Sequence, residues 1–294
     1  MEKMEHRPRE LEEDEIDLRE LFSTIWNNKW KIMIFSFLVT SLTLFFMLRT
    51  PNSYTSSIVL IPQEQSASIG GIGALAGFAG VDIGGGEISI FSQISTILSD
   101  EIFLEKLISE NNLLEKIENP QNLVFALGLD FKIENDVSEL SQEERIYNAI
   151  KSFSGIISVS EDKKSGVITF SGTNRDRFFA KELVDLVLTE STKRLREIDM
   201  KDIDSKVQFY EKELQNTDNL ELQKSLTKVI SSLIEKRVSA NANEFYLLKK
   251  ITDSKIAFIK DKTKPKRGLI IVVAFVVSII LGIFGVFFIQ FLKP

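Results

Sequence analysis

Several chemically versatile residue types are scarce in this chain of 294 residues. It contains no cysteine, which excludes a disulfide framework and a thiolate metal site. Its single histidine, His6, lies in a highly charged N-terminal tail, so a histidine-based triad or a clustered zinc site has no residues to use. We therefore expect no metal and no other cofactor.

Basic stripes and nucleotide-binding loops are missing as well. The formal net charge is −6, and no basic stripe could neutralise a phosphate backbone, so we expect no nucleic-acid partner. Glycines concentrate in residues 66–86, but no G-x-x-x-x-G-K-[ST] spacing occurs anywhere. We interpret residues 66–86 as a flexible loop that packs closely only when a neighbouring subunit approaches. Carboxylates are plentiful, yet they form no paired constellation beyond helix faces, so we expect no enzyme.

The chain does have an uncharged apolar run near each end, residues 32–48 and 268–292. The second run is long enough, at ~1.5 Å per residue, to cross a hydrocarbon core of ~30 Å. The first is shorter, and a buried core helix is its alternative. Trp26 and Trp30 suit the headgroup layer as interface anchors, while Lys31 and Arg49 flank the run. Two spans place both termini on one side of a membrane and residues 49–267 on the other.

Basic residues give conflicting indications of orientation. Lys29 and Lys31 precede the first span, and after Arg49 the next basic residue is Lys106, which predicts a cytoplasmic N-terminus. The loop side of the second span argues the opposite, with a run of basic residues at Lys260, Lys262, Lys264, Lys266 and Arg267. We follow the first span, because orientation usually follows the first helix.

Small residues recur on one face of each apolar run. Ala274, Ser278 and Gly282 lie four residues apart, Gly285 lies just off their face, and Ser36 and Thr40 form a similar face on the first run. Small residues at this spacing let helices approach closely. We predict helix packing or an oligomer contact at these residues, with chance composition as the alternative.

The segment between the spans combines short strands with a long helical region. Strands are predicted at 54–61, 155–160 and 167–172, and the last two frame a turn at 161–166 as a β-hairpin. An amphipathic helix precedes the first span. From residue 174 the chain is rich in helix formers, with a polar break at 216–219. The apolar residues on either side follow a heptad pattern: Ile203, Val207, Tyr210 and Leu214 before the break, then Leu222, Leu226, Val229 and Leu233.

Two heptad-patterned arms joined by a turn predict an antiparallel helical hairpin. The first arm would reach ~60 Å. A small base domain cannot cover so long an arm, so we predict that these heptad residues support assembly with other copies of the chain. An isolated coiled-coil hairpin is the alternative. Residues 257–259 are predicted to return as a strand paired with 54–61.

The combined layout resembles the Wzz-type polysaccharide co-polymerases, the chain-length determinant proteins of Gram-negative bacteria. Three segments carry the resemblance: Glu15-Ile16-Asp17-Leu18-Arg19-Glu20-Leu21 with Trp26 and Lys29-Trp30-Lys31, then Tyr54-Thr55-Ser56-Ser57-Ile58, and finally Lys264-Pro265-Lys266-Arg267 with Gly282 and Gly285. Family members often have several prolines before the second span, whereas this chain has Pro265 alone. That departure leaves the local geometry there open.

The resemblance implies an α+β membrane protein in which two transmembrane helices flank a membrane-proximal α/β base domain with a long antiparallel helical hairpin arm. The implied division is a cytoplasmic acidic tail and amphipathic helix (1–31), a first span (32–48), a periplasmic base domain (49–173), the hairpin arm (174–256), a return strand and basic linker (257–267), and a second span (268–292). Both termini would be cytoplasmic at the bacterial inner membrane.

The resemblance also implies a ring-shaped homo-oligomer that sets the modal length of O antigen or a related surface polysaccharide. The polymer would be made by a Wzy-type polymerase on an undecaprenyl-diphosphate carrier, and the regulator itself would make no bond. The alternative function is an adaptor in capsule or exopolysaccharide export, with or without a separate tyrosine kinase. We expect no kinase fused to this chain, because a Walker A loop is missing.

Overall fold

The computed structural model describes residues 18–63, 89–129 and 140–292. It divides into two compact units: a terminal unit formed by Met1–Thr50 with Lys266–Pro294, and a central unit formed by Pro51–Pro265. The predicted glycine-rich loop at 66–86 lies outside the described residues. Each unit has its own packing.

Three helices make up the described part of the terminal unit: α1 (Leu18–Asn27), α2 (Lys29–Arg49) and α9 (Arg267–Phe291). Among the described residues, α2 and α9 are the two helices long and apolar enough to cross a membrane, and they contain the predicted runs 32–48 and 268–292. Few of their side chains are buried within the structure, which disfavours the buried-core alternative for the first run. These apolar surfaces are suited to lipid rather than to water.

A four-stranded antiparallel sheet lies at the centre of the central unit, in the order β2-β3-β1-β4. Its strands are β1 (Tyr54–Pro62), β2 (Ile157–Asp162), β3 (Val167–Asn174) and β4 (Leu248–Lys250). Side chains alternate across the sheet, so that Ile58, Leu60 and Phe170 are buried on one face. The predicted hairpin of β2 and β3 is confirmed, with Asp162 accepting hydrogen bonds inside its turn.

The described part of the central unit also contains four short helices and a 3₁₀ turn: α3 (Ile90–Ser99), α4 (Glu101–Glu110), α5 (Leu113–Glu118), the 3₁₀ turn (Ala126–Gly128) and α6 (Gln142–Ile156). Ser89, Asp100 and Ser141 cap the first turns of α3, α4 and α6 through their side-chain oxygens. Ser141 and Glu144 form a reciprocal capping box, and these hydrogen bonds lower the pKa of the Glu144 carboxyl. Local sequence signals thus fix where these helices begin.

The predicted helical hairpin is confirmed as α7 (Arg177–Asn216) and α8 (Leu220–Ala242). The chain reverses at 217–219, inside the predicted polar break. Asp176 caps α7 by accepting from the backbone of Phe178 and Phe179, and Asn219 caps α8 in the same way. At ~1.5 Å per residue, α7 is ~60 Å long, as the sequence predicted.

Two boundaries predicted in the central unit are wrong. No strand occurs at 257–259: the strand that pairs with β1 is Leu248–Lys250, with Leu60 opposite Lys250. The hairpin ends at Ala242 rather than continuing to residue 256. This segment contacts β1 through side-chain hydrogen bonds instead of a backbone ladder: Ser56 Oγ donates to Lys255 O, and Tyr54 OH donates to Ile259 O. In addition, α6 extends to Ile156, so β2 lies two residues later than predicted.

Candidate functional site

The heptad residues of the hairpin form its own internal core. Ile203 and Val207 of α7 are buried with Val229 and Leu233 of α8, and Ile230 joins the same cluster. Tyr210 and Leu214 pack against this cluster while partly buried, and Leu226 is buried on α8. Leu222 is exposed. The structure therefore uses most of these residues to hold α7 on α8, and their part in assembly between copies stays a prediction.

The root of the hairpin is fixed to the sheet by close backbone packing at Gly172 of β3. A Cβ at this position would lie 2.6 Å from Val184 Cγ2 and 2.9 Å from Ala180 O, both on α7. Real Cβ contacts are essentially never under 3.0 Å, so only glycine lets the helix approach this closely. The close packing of α7 on β3 consequently depends on glycine at position 172.

A partly buried arginine of α7 contacts the chain where α8 ends. Arg196 of α7 donates from Nη2 to the carbonyls of Asn243 (2.7 Å) and Glu244 (3.0 Å), directly after α8 ends. These contacts satisfy carbonyls that a helix end leaves without an internal partner. The sequence analysis missed Arg196. Its position seven residues before Ile203, on the same helix face, is the signal that could have found it.

In the terminal unit, α2 and α9 pack antiparallel through small residues. A Cβ on Gly282 would lie 3.1 Å from Ile32 Cγ2, and Ile32, Ser36, Ser278 and Gly282 are the buried residues of the two helices. Because the two helices are antiparallel, Ser278, one turn before Gly282 on α9, lies opposite Ser36, one turn after Ile32 on α2. The same register continued by one turn brings Ala274 opposite Thr40, and both are partly buried. The two predicted small-residue faces thus meet within one chain.

Arg267 holds the end of this helix pair. Its guanidinium donates from Nε to Met47 O (3.0 Å) and from Nη2 to Thr50 O (2.7 Å). These carbonyls belong to the C-terminal end of α2, where helices carry partial negative charge and unsatisfied acceptors. Arg267 belongs to the predicted second-span motif with Pro265 and Lys266. The structure gives it a specific contact that the sequence did not reveal.

The remaining residues singled out in the terminal unit lie on its surface. Trp26 and Trp30 are exposed, and the Lys29 ammonium lies 4.0 Å from the Trp26 ring centroid. Gly285 has no neighbouring atom within 4 Å of an added Cβ, so it takes no part in the helix pairing. Exposed tryptophans next to an apolar helix fit the predicted headgroup anchors.

An ion pair follows β4 in the central unit. Lys250 Nζ lies 2.8 Å from Asp253 Oδ1, and this hydrogen bond raises the pKa of Lys250 and lowers the pKa of Asp253. Beside it, Ser254 donates to Asp185 of α7 at 2.7 Å. The Ser254–Asp185 hydrogen bond thus joins the segment that follows β4 to α7.

Ion pairs join charged side chains elsewhere in the described part of the central unit, including Lys116 with Glu182 and Arg145 with Glu118. A surface pocket of about 230 Å³ between α4 and α7 is lined by side chains of both signs, including Lys106, Glu110 and Arg194. Among the residues that the structure describes, no group of three or more His, Cys, Asp or Glu side chains could hold a metal ion.

One family model matches part of the chain. Residues 14–111 match the family model described as Wzz, chain length determinant protein. The match covers the segment that enters the first span and the first strand, where the sequence resemblance was seen, and it confirms that resemblance there. The second-span motif lies outside the matched residues.

None of the curated proteins matches the chain. A solved structure titled "full-length bacterial polysaccharide co-polymerase" is similar over 95% of this chain and 100% of its own, at 11% sequence identity and a TM-score of 0.39.

Proposed function

We propose that this chain is a member of the Wzz family of chain length determinant proteins and that it sets the modal length of a surface polysaccharide. The family match over residues 14–111 is the observation that carries this proposal. The polymer is O antigen or a related polysaccharide, made by a Wzy-type polymerase on an undecaprenyl-diphosphate carrier. The chain acts as a regulator and makes no glycosidic bond itself.

The proposed setting is the bacterial inner membrane. The apolar helices α2 and α9 cross the bilayer, both termini are cytoplasmic, and the central unit is periplasmic. Lys29 and Lys31 before the first span support this orientation. The N-terminal half of α7, up to Leu195, is buried in the core of the sheet domain, and beyond it α7 and α8 form a separate small cluster with each other. The exposed surface of this outer part of the hairpin supports assembly into a homo-oligomeric ring.

The direct test is a gel ladder of surface polysaccharide from a deletion strain, with and without the restored gene. We expect the deletion to keep total polymer and lose its modal length, and the restored gene to recover it. Complete loss of polymer would favour the export adaptor instead. An unchanged ladder, or glycosyl transfer by the purified protein alone, would contradict the proposal.

The hairpin offers a matched pair of variants for the same assay. Val229 is 1% exposed in the hairpin core, whereas Val238 on the same helix is 64% exposed. Val229→Ala removes buried methyl groups and loosens α8 from α7, so we expect a shifted modal length at normal expression. Val238→Ala should leave the ladder unchanged. If both variants gave the wild-type ladder, the hairpin would have no part in length control.

A further inference from the structure

The segment after β4 presents large apolar side chains to solvent. We define residues 255–264 as the basic-apolar loop. Within it, three large apolar side chains lie close together in the chain and are exposed to solvent: Ile256 (38%), Phe258 (67%) and Ile259 (53%). Contiguous exposed apolar side chains of this size mark a contact surface for another apolar phase or partner.

The loop is held in this conformation by the sheet and the hairpin. Three side chains donate hydrogen bonds to alternate carbonyls of the loop: Ser56 Oγ to Lys255 O (2.9 Å), Arg177 Nη1 to Ala257 O (3.4 Å) and Tyr54 OH to Ile259 O (3.2 Å). Within the loop, Ala257 is buried, and the amide of Asp261 donates to Phe258 O (3.0 Å) to close a turn. The apolar side chains are therefore fixed outward by an anchored backbone.

Positive charge surrounds these apolar side chains. The loop contains Lys255, Lys260, Lys262 and Lys264 against one acidic residue, Asp261, and all five are exposed. The Lys255 ammonium lies 5.9 Å from the Phe258 ring centroid. Aromatic and aliphatic side chains interleaved with lysine are typical of segments that lie in an anionic lipid headgroup layer.

The composition favours lipid over a protein partner. Protein interfaces are enriched in arginine and tyrosine and depleted in lysine, whereas every basic residue of this loop is lysine. The chain also reaches the apolar helix α9 at Arg267, three residues after Lys264. Anionic headgroups would in addition explain why basic residues crowd the loop side of the second span, against the orientation that the first span indicates.

We propose that the basic-apolar loop is a peripheral membrane-contact surface of the central unit. Phe258 and Ile259 enter the headgroup layer, and the four lysines lie against the phosphates of anionic phospholipids. The inference rests on α2 and α9 spanning a membrane, and it does not depend on control of polysaccharide length. A negative result here would leave the gel-ladder test of the proposed function unaffected.

The absence of cysteine makes the test direct, because one introduced cysteine gives one labelling site in the full chain. We would place a spin label at Phe258→Cys and reconstitute the chain in vesicles of phosphatidylcholine and phosphatidylglycerol. The matched control is Phe209→Cys on the hairpin, where the side chain is 58% exposed. Collisions of each label with dissolved oxygen and with a water-soluble nickel chelate report whether it lies in lipid or in water.

We expect the ratio of oxygen to nickel accessibility to be several-fold higher at residue 258 than at residue 209. This difference should fall in vesicles of phosphatidylcholine alone and in a Lys260→Gln, Lys262→Gln, Lys264→Gln variant. An aqueous label at residue 258 would overturn the proposal, as would equal burial without phosphatidylglycerol. Spin–spin broadening at residue 258, indicating a contact between copies, would also overturn it. A label at Ile259→Cys repeats the measurement if the first variant fails to fold.

Discussion

The close approach of α2 and α9 at Gly282 leads to a prediction with a built-in control. An added Cβ would lie 3.1 Å from Ile32 Cγ2 and 3.5 Å from Phe35 Cδ1. Attractive carbon contacts have their optimum at about 3.5–4.0 Å, so even one carbon compresses this contact. Gly282→Leu adds three further carbons in the same direction. Gly285→Leu makes the same change on the same helix, where nothing lies within 4 Å.

Overpacking of a close contact costs about 1–3 kcal/mol. A cost of this size shifts the equilibrium between paired and separated helices by roughly 5-fold to 150-fold, because about 1.4 kcal/mol corresponds to a factor of ten. We therefore expect Gly282→Leu to separate α2 from α9 within one chain. Gly285→Leu should leave the pair intact.

Oxidative crosslinking in the cysteine-free background measures this separation. Thr40→Cys and Ala274→Cys place two thiols opposite each other in the register set by Gly282 and Ile32. The double-cysteine chain in detergent should crosslink within the monomer, slowly with Gly282→Leu and at the original rate with Gly285→Leu. Equal crosslinking rates in the two glycine variants would refute the packing that the structure shows. Crosslinks only between chains would refute the pairing within one chain.

Three further predictions follow from other contacts. Arg267→Gln removes charged donors from two carbonyls at the end of α2, so we expect a loss of about 1.5–3 kcal/mol in detergent stability, and no loss would contradict the capping role. Gly172→Ala forces α7 from the sheet and should lower the melting temperature, whereas Gly155→Ala, with open space around it, should leave it unchanged or raise it. The lowered pKa of Asp253 means that its carboxylate stabilises the fold above its unfolded pKa of about 3.9, and that this contribution is lost as pH falls through the lower folded pKa. We therefore expect Asp253→Asn to lose less stability on acidification than the wild type, and identical acid melting profiles would contradict the ion pair.

Most residues that the sequence analysis assigned to assembly between copies make contacts within one chain. The small residues on the two spans were expected to support packing or assembly, and most of them contact each other within one chain. The heptad residues of the hairpin likewise form an internal core. The buried side chains among them are covered within one chain, so any contact with another copy falls to the exposed ones, such as Leu222. The role of these residues in assembly stays a prediction.

The sequence alone determined the elements whose signals are local. Long apolar runs predicted α2 and α9, since residue composition over about 20 positions decides whether a helix suits lipid. The heptad steps and the break at 216–219 predicted the hairpin of α7 and α8, because helical periodicity repeats within a few residues. The turn at Asp162 predicted the pairing of β2 with β3 for the same reason.

Only the tertiary structure decided the contacts between residues distant in the chain. Arg267 reaches Met47 across 220 positions, and Tyr54 reaches Ile259 across 205. No local pattern distinguishes Leu248–Lys250 from 257–259 as the partner of β1, because both are short and either could form a strand. The sequence marked small residues on both spans, but their meeting at Gly282 and Ile32 depends on the antiparallel register that packing alone selects.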